Sequence, residues 1–255
     1  MANGNSWKKI FDDYKILDHD FSNAPFPLSA AQIKKSVQRF KKTGEKEVRI
    51  LCKIDSREDL PEVMRESGLF LMPVKNGNYV IVQGEGFMDI PDIAGEPEDY
   101  PTKLDFKLDT SVVGNSEMQH LDFAYASSLI RTFMDDPSLV LTIRGRKYTP
   151  AFSYKIGNAT LEASSVQTEV DAGYEGREQV VLVEAKNSST KNTIIRQLYY
   201  PYRQWSEHTS KKVVPLFFEK RGDQYWVWQY EFTNKNDYSS VRLVRSKKYR
   251  IVEQK

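Results

Sequence analysis

Hydrophobic and polar residues follow two different periods along this chain. Apolar residues at helical spacing predict helices at residues 7–14, 30–42, 116–136 and 192–209. Segments that alternate apolar and polar residues, or that are apolar throughout, predict strands at residues 45–55, 69–85, 139–157, 160–175, 178–187, 212–220, 225–233 and 241–255. The chain therefore contains enough of both elements for a mixed fold.

Capping and turn residues support several of these elements. Ser29 and Ser116 each precede a helical pattern and are the expected N-caps. Asn76-Gly77 predicts a type I′ turn that joins two strands into a hairpin. Pro201 predicts a bend in the last helix because proline has no N–H to donate.

The order of elements predicts the fold class. Residues 116–219 run helix, three strands, helix, strand, and a helix between two strands favours a crossover connection. We therefore expect an α/β (α+β) fold with a mixed central sheet flanked by helices. The acidic, proline-rich segment 91–101 is the best candidate boundary, so we predict an amino-terminal region at 1–105 and a second domain at 106–255. The first region could be a winged-helix-like DNA-recognition unit or another small α/β subdomain.

Composition narrows the function classes. The net charge of +2 predicts no global positive field, so any nucleic-acid site must come from local clustering. A single cysteine, Cys52, excludes an internal disulfide and a Cys-rich zinc site, and three scattered histidines show no paired-His metal pattern. No apolar run is long enough for a signal peptide or a membrane span. We expect a cytoplasmic protein with no membrane partner.

Candidate chemistry is concentrated where one apolar strand ends. Val180 to Val183 lead into Glu184-Ala185-Lys186, so Glu184 and Lys186 point to the same face of the strand. If this strand pairs with the preceding one in a hairpin, Asp171 lies beside Glu184, with Glu169 on the same face. The simplest alternative for a Glu-x-Lys pair on a strand is an exposed ion pair.

Clustered carboxylates repel one another, so a cation is the natural partner. Mg²⁺ prefers oxygen ligands, polarises phosphate and lowers the pKa of bound water. A neighbouring lysine such as Lys186 could hold the attacking water or stabilise developing negative charge. This combination suits hydrolysis of a phosphodiester.

Asp171 followed by Glu184-Ala185-Lys186 resembles the PD-(D/E)XK nuclease signature, with Val170-Asp171 where that signature has Pro-Asp. The surrounding "QTEVDAGYE", "VLVEAKN" and "IIRQLYYPYRQW" are similar to a group of type II restriction endonucleases within that superfamily.

The resemblance implies a PD-(D/E)XK core and roles for individual residues. Asp171 and Glu184 would be metal ligands for Mg²⁺, and Lys186 would be the catalytic lysine. Gln197 matches a supporting glutamine on the following helix, and Glu169 is a further catalytic candidate. Glu117 matches an extra acidic ligand of some members, although a first-turn glutamate favoured by the helix dipole is the simpler interpretation. The resemblance also implies double-stranded DNA cut at a short specific sequence, cytoplasmic restriction–modification and a homodimer.

Basic residues outside the motif are candidates for DNA contacts. These are Arg144, Arg146 and Lys147 in "TIRGRKY", and Lys34 and Lys35 on the second predicted helix. The alternative for residues 144–147 is a solvated edge strand protected by charge.

Two other functions remain open on the sequence. A structure-selective repair or junction nuclease would use the same core on branched DNA. A non-catalytic DNA-binding or scaffold protein would carry the motif as an incidental ion pair.

Overall fold

A computed structural model of the protein describes residues 4–187 and 189–253. The helices are α1 Gly4–Tyr14, α2 Ala30–Val37, α3 Thr43–Lys46, α4 Val48–Leu51, α5 Glu62–Glu66, α6 Glu117–Ala126, α7 Leu129–Phe133 and α8 Arg196–Ser206. The strands are β1 Phe26–Ser29, β2 Leu69–Lys75, β3 Asn78–Gln83, β4 Phe87–Asp89, β5 Glu98–Pro101, β6 Val140–Tyr148, β7 Phe152–Ile156, β8 Ala159–Ala163, β9 Gln167–Glu175, β10 Gln179–Lys186, β11 Asn192–Ile194, β12 Lys212–Arg221, β13 Gln224–Phe232 and β14 Val241–Val252.

The centre of the fold is a mixed sheet of seven strands in the order β5-β14-β13-β12-β10-β9-β6. β10 and β12 are parallel, as are β14 and β5, and the other neighbours are antiparallel. The chain leaves β10, passes through α8 and returns as β12, which is the predicted crossover. The mixed α+β class with helices on a large sheet is therefore confirmed.

Helices cover both faces of this sheet. On one face, Leu121 of α6 is buried in the same layer as Val183 and Ala185. On the other, Tyr199 of α8 is buried in the same layer as Phe217. Each large apolar side chain buried here, such as Leu121, Val183 and Phe217, contributes roughly 1.5–3 kcal/mol to stability relative to exposure. This double burial explains why β10 and β12 read as almost continuous apolar runs.

The amino-terminal region has its own small sheet but shares a core with the rest. β1, β3 and β2 form an antiparallel sheet in that order, and the winged-helix-like interpretation stays a prediction. Ser29 caps α2 in a capping box with Gln32. Tyr200 of α8 donates a hydrogen bond to the Pro73 carbonyl at 2.7 Å, so the crossover helix is anchored on this region.

The structure corrects several predicted elements. Residues 45–55 are not a strand: α3 ends at Lys46, α4 covers Val48–Leu51, and residues 52–55 form a turn and irregular structure. Leu51 of α4 is buried in the amino-terminal core. The helix predicted at 116–136 is two helices, broken at Ser128, which adopts a left-handed conformation with φ of 66°. The predicted loop at 91–101 includes β5, which pairs with β14, so the tail strand is not at the sheet edge.

The hairpin at Asn76-Gly77 is confirmed, but only Gly77 has a positive φ, of 74°. The turn is therefore not type I′, which needs positive φ at both positions. No helix within residues 4–187 and 189–253 has the length and apolar character needed to cross a bilayer.

Candidate functional site

The β9–β10 hairpin brings the three motif residues together. Leu182 pairs with Gly173 and Val183 with Ala172, so the next position in register sets Glu184 beside Asp171. The Oδ2 atom of Asp171 accepts a hydrogen bond from the Ala185 backbone N–H at 2.8 Å. The predicted hairpin and the predicted proximity of Asp171 are both confirmed.

Strand alternation orients Glu184 and Lys186 toward one cleft. Val183 and Ala185 are buried on the α6 side of the sheet, so Glu184 and Lys186 face the α8 side. The two side chains form an ion pair, and their side chains are 12% and 24% exposed. This pair is mostly shielded from water, unlike the exposed pair that the simpler interpretation predicts.

Burial shapes the protonation of this pair. It raises the pKa of Glu184 to about 7, although the charge of Lys186 acts in the opposite direction. Burial lowers the pKa of Lys186, but attraction to Glu184 and the hydrogen bond that Lys186 donates to it leave that pKa above its ordinary value. Lys186 is therefore a cation at neutral pH.

Asp171 experiences burial and nearby charges of both signs. Burial raises the pKa of its carboxyl, whereas the Ala185 N–H and the Lys186 charge lower it. Repulsion from Glu117 and Glu169 raises the pKa further, and the net shift is upward. A cation near Asp171 would therefore stabilise the ionised form of its carboxyl.

The other predicted residues lie around this cleft. Glu169, Glu184 and Gln197 line one small cavity together. Gln197 accepts a hydrogen bond from the Thr193 hydroxyl at 2.5 Å, which fixes its side-chain oxygen. Glu169 is 56% exposed and pairs with Arg146 at 3.2 Å, so it is on the rim rather than in the interior.

Glu117 begins α6 behind the Ser116 cap, as predicted. The Asn187 side chain, just after the motif, donates a hydrogen bond to the Asn115 carbonyl at 2.7 Å. This contact holds the start of α6 close to the end of β10. Glu117 therefore lies near the site without joining it by a hydrogen bond of its own among the described residues.

The donor set suits a hard divalent cation held through water. Among the residues that the structure describes, no group of three or more His, Cys, Asp or Glu side chains is arranged to hold a metal. Mg²⁺, however, commonly uses only one or two carboxylates and keeps several waters. Asp171 and Glu184 are two such carboxylates with raised pKa values, and binding a cation would relieve their repulsion. These residues fit Mg²⁺ and do not form a closed structural site.

Two family models match this chain. One is described as a domain of unknown function (DUF6996) and matches residues 4–81. The other is described as a domain of unknown function (DUF6997) and matches residues 82–250, well over half of the chain. The chain belongs to the DUF6997 family. No curated protein and no solved structure matches it.

The DUF6997 match contains the whole candidate site. Asp171, Glu184, Lys186 and Gln197 all lie within residues 82–250, whereas α1 to α5 lie in the DUF6996 match. The two matches meet between residues 81 and 82. The boundary at residue 105 stays a prediction.

The DUF6996 region nevertheless supplies Asp55 to the surroundings of the candidate site, which the sequence did not indicate. The Asp55 carbonyl accepts a hydrogen bond from Ile194 N–H at 2.9 Å, and its carboxylate is 3.9 Å from the Arg196 guanidinium. Asp55 thus contacts the segment that leads from Lys186 to Gln197. The local sequence around Asp55, "KIDSRED", does not predict these contacts, because they join distant parts of the chain.

Of the predicted DNA-contact residues, the two arginines are paired and the three lysines form no ion pair among the residues that the structure describes. Arg144 forms an ion pair with Asp122, and Arg146 pairs with Glu169. Lys147 is exposed on β6, which is an edge strand, as the alternative interpretation expects. Lys34 and Lys35 are exposed on α2.

Proposed function

We propose that this DUF6997 protein is a Mg²⁺-dependent endonuclease with a PD-(D/E)XK core that hydrolyses phosphodiester bonds of double-stranded DNA. The observation that carries the proposal is the 2.8 Å hydrogen bond from Ala185 N–H to Asp171. It holds the acid of one strand against the Glu184–Lys186 pair of the next. An incidental surface ion pair would have no need of this third, half-buried carboxylate.

Asp171 and Glu184 would hold the metal ion through their carboxylate oxygens. Bound there, Mg²⁺ would lower the pKa of a water and neutralise charge on the scissile phosphate. Burial raises the pKa of Glu184 to about 7, so binding of the ion would release the proton from the fraction of this carboxyl that is still protonated at neutral pH.

Lys186 is the residue suited to the reacting phosphate. Its ammonium is cationic and held in place by Glu184, so it can donate hydrogen bonds to the attacking water or to phosphate oxygens that gain charge. Oxygen from water bonds to phosphorus, the bond to the 3′ oxygen breaks, and that oxygen takes a proton. The products are a 5′-phosphate and a 3′-hydroxyl.

The finer proposal is a type II restriction endonuclease that acts on a short specific sequence. Its support is the resemblance of the motif and of the segments around it. A palindromic site would favour a homodimer, because two-fold protein symmetry would match that of the DNA.

The test is cleavage of phage DNA with MgCl₂, with and without EDTA, followed by sequencing of fragment ends. We expect discrete fragments that require the metal and that the variants Glu184→Gln and Lys186→Met do not produce. Discrete ends would support sequence-specific cutting, whereas cutting of branched DNA alone would support a junction nuclease.

Glu175→Ala is the matched control. It removes a glutamate that pairs with Lys211 at the far end of β9. It should cleave as the wild type does. Full cleavage by both site variants would contradict the proposal, as would metal-independent cleavage.

A further inference from the structure

Positive charge is concentrated in one short part of the chain. Residues 34–53 include eight lysines and arginines but only two glutamates, which gives a local net charge of +6. The whole chain has a net charge of +2, so all other residues together are net negative by four charges. Residues 34–53 are therefore a local concentration of positive charge.

Folding turns this segment into a surface. Ile33 and Val37 of α2 are fully buried, and Leu51 closes the same core. The basic side chains consequently point outward, and the six that follow are all exposed. We define the α2–α3 basic surface by Lys34, Lys35, Arg39, Lys41, Lys42 and Lys46.

These cations form no close ion pairs among the described residues, although Lys35 lies near enough to Asp13 to help lower the pKa of that carboxyl. None of the six forms an ion pair with another residue in the described ranges. By contrast, the basic tail strand is largely neutralised. Its Arg242, Arg245, Lys247 and Arg250 pair with Glu231, Asp135, Glu98 and Asp99.

Free surface cations hold mobile counterions, and their release drives binding to a polyanion. A lipid surface is the less suitable polyanion, because membrane-bound basic helices also present large apolar residues. Within the described residues, no large hydrophobic side chain between positions 30 and 53 is exposed. The α2–α3 basic surface can therefore attract a polyanion by charge but offers no large apolar side chain for insertion into a membrane.

We propose that the α2–α3 basic surface binds the phosphate backbone of duplex DNA and is the main source of non-specific affinity. The choice of DNA rests on the proposed function. The paired Arg144 and Arg146 on β6 then contribute less than Lys34 and Lys35 do. Lys53, which ends the basic run outside this surface, lies 3.8 Å from the Asp55 carboxylate, and Asp55 contacts Ile194 and Arg196. The basic run therefore ends beside the segment that leads to Gln197.

The experiment measures binding without cleavage. A fluorescent duplex of about 30 base pairs is titrated in EDTA at several salt concentrations with wild type and the variant Arg39→Gln/Lys41→Gln/Lys42→Gln. Each lost phosphate contact lowers the slope of log K against log salt by about 0.9, so we expect a loss of about 2–3 in slope. Affinity should fall roughly tenfold or more near 0.1 M salt.

The matched control removes the same number of charges from the tail strand, as Arg242→Gln/Arg245→Gln/Lys247→Gln. It should bind almost as wild type does, because those cations are already paired. The double variant Lys34→Gln/Lys35→Gln, on an exposed helix face, provides a second measurement should the triple variant not fold. Circular dichroism checks each protein.

Wild-type affinity and slope in both surface variants would overturn the inference, as would an equal loss in the tail-strand control. Tighter binding to duplex RNA of the same sequence, or to phosphatidylserine vesicles, would also overturn it. A protein that never cuts DNA, yet whose binding depends on this surface, contradicts only the proposed function. A protein that cuts DNA but binds it equally well without these charges contradicts only this inference.

Discussion

Asp171 Oδ2 accepts the Ala185 backbone N–H at 2.8 Å, across the β9–β10 hairpin. Ala185 is fully buried, so this amide has no access to water as a substitute partner. The bond serves two purposes, because it satisfies a buried donor and holds the Asp171 carboxylate at the end of β10. Structure and proposed chemistry therefore depend on the same side chain and can be separated by substitution.

Asp171→Asn should fold with nearly wild-type stability, because its amide oxygen can still accept the Ala185 N–H. Asp171→Ala should lower the free energy of unfolding by about 1–3 kcal/mol, because a buried donor loses its partner. Both should cut DNA roughly a hundredfold more slowly or worse. Urea denaturation and a cleavage assay measure the two effects. Equal stability of the two variants would contradict the assigned hydrogen bond.

The pH dependence of stability should reveal Glu184. Burial raises its pKa from 4.5 to about 7. An acid with a raised pKa in the folded state contributes stability that is complete below its unfolded pKa and lost as pH rises through the folded one. The free energy of unfolding should therefore decline between about pH 5 and about pH 7.5. Glu184→Gln cannot titrate and should show a flatter profile in that range, whereas parallel profiles would refute the assignment.

Added Mg²⁺ should stabilise the folded protein. With a dissociation constant near 1 mM, about 10 mM MgCl₂ would contribute about 1.4 kcal/mol. The effect should be larger at pH 7.5 than at pH 5, because the carboxyls must release protons to bind the ion. Thermal unfolding with MgCl₂ or the same ionic strength of NaCl measures it. The double variant Asp171→Asn/Glu184→Gln should show no specific shift, and an unchanged shift there would place the ion elsewhere.

The close approach of β9 to β6 should require glycine at position 173. A Cβ atom there would lie 2.6 Å from Cβ of Ile143. Gly173→Ala should lower the free energy of unfolding by about 1–3 kcal/mol through overpacking. Gly44→Ala, where a Cβ has no neighbour within 4 Å, should change it by about 1 kcal/mol or less. Urea denaturation compares the two variants. Equal changes in the free energy of unfolding would show that β9 and β6 can move apart at no cost.

Sequence alone determined the elements whose signals are local. The caps Ser29 and Ser116, the apolar run of β10 and the crossover through α8 follow from short-range periodicity and hydrogen bonding. The pairing of β9 with β10 was equally accessible, because a short turn leaves an antiparallel hairpin as the simplest connection. That pairing was sufficient to bring Asp171 beside Glu184.

Only the tertiary structure decided the features that depend on distant contacts. Residues 48–51 became helical because packing of Leu51 in the amino-terminal core outweighed the strand-like composition of the segment. β5 became a strand because β14 offered it a free edge. Asp55 reached Arg196 because the two regions share one core. Local patterns carry no information about such partners, since burial and pairing energies arise only when remote segments meet.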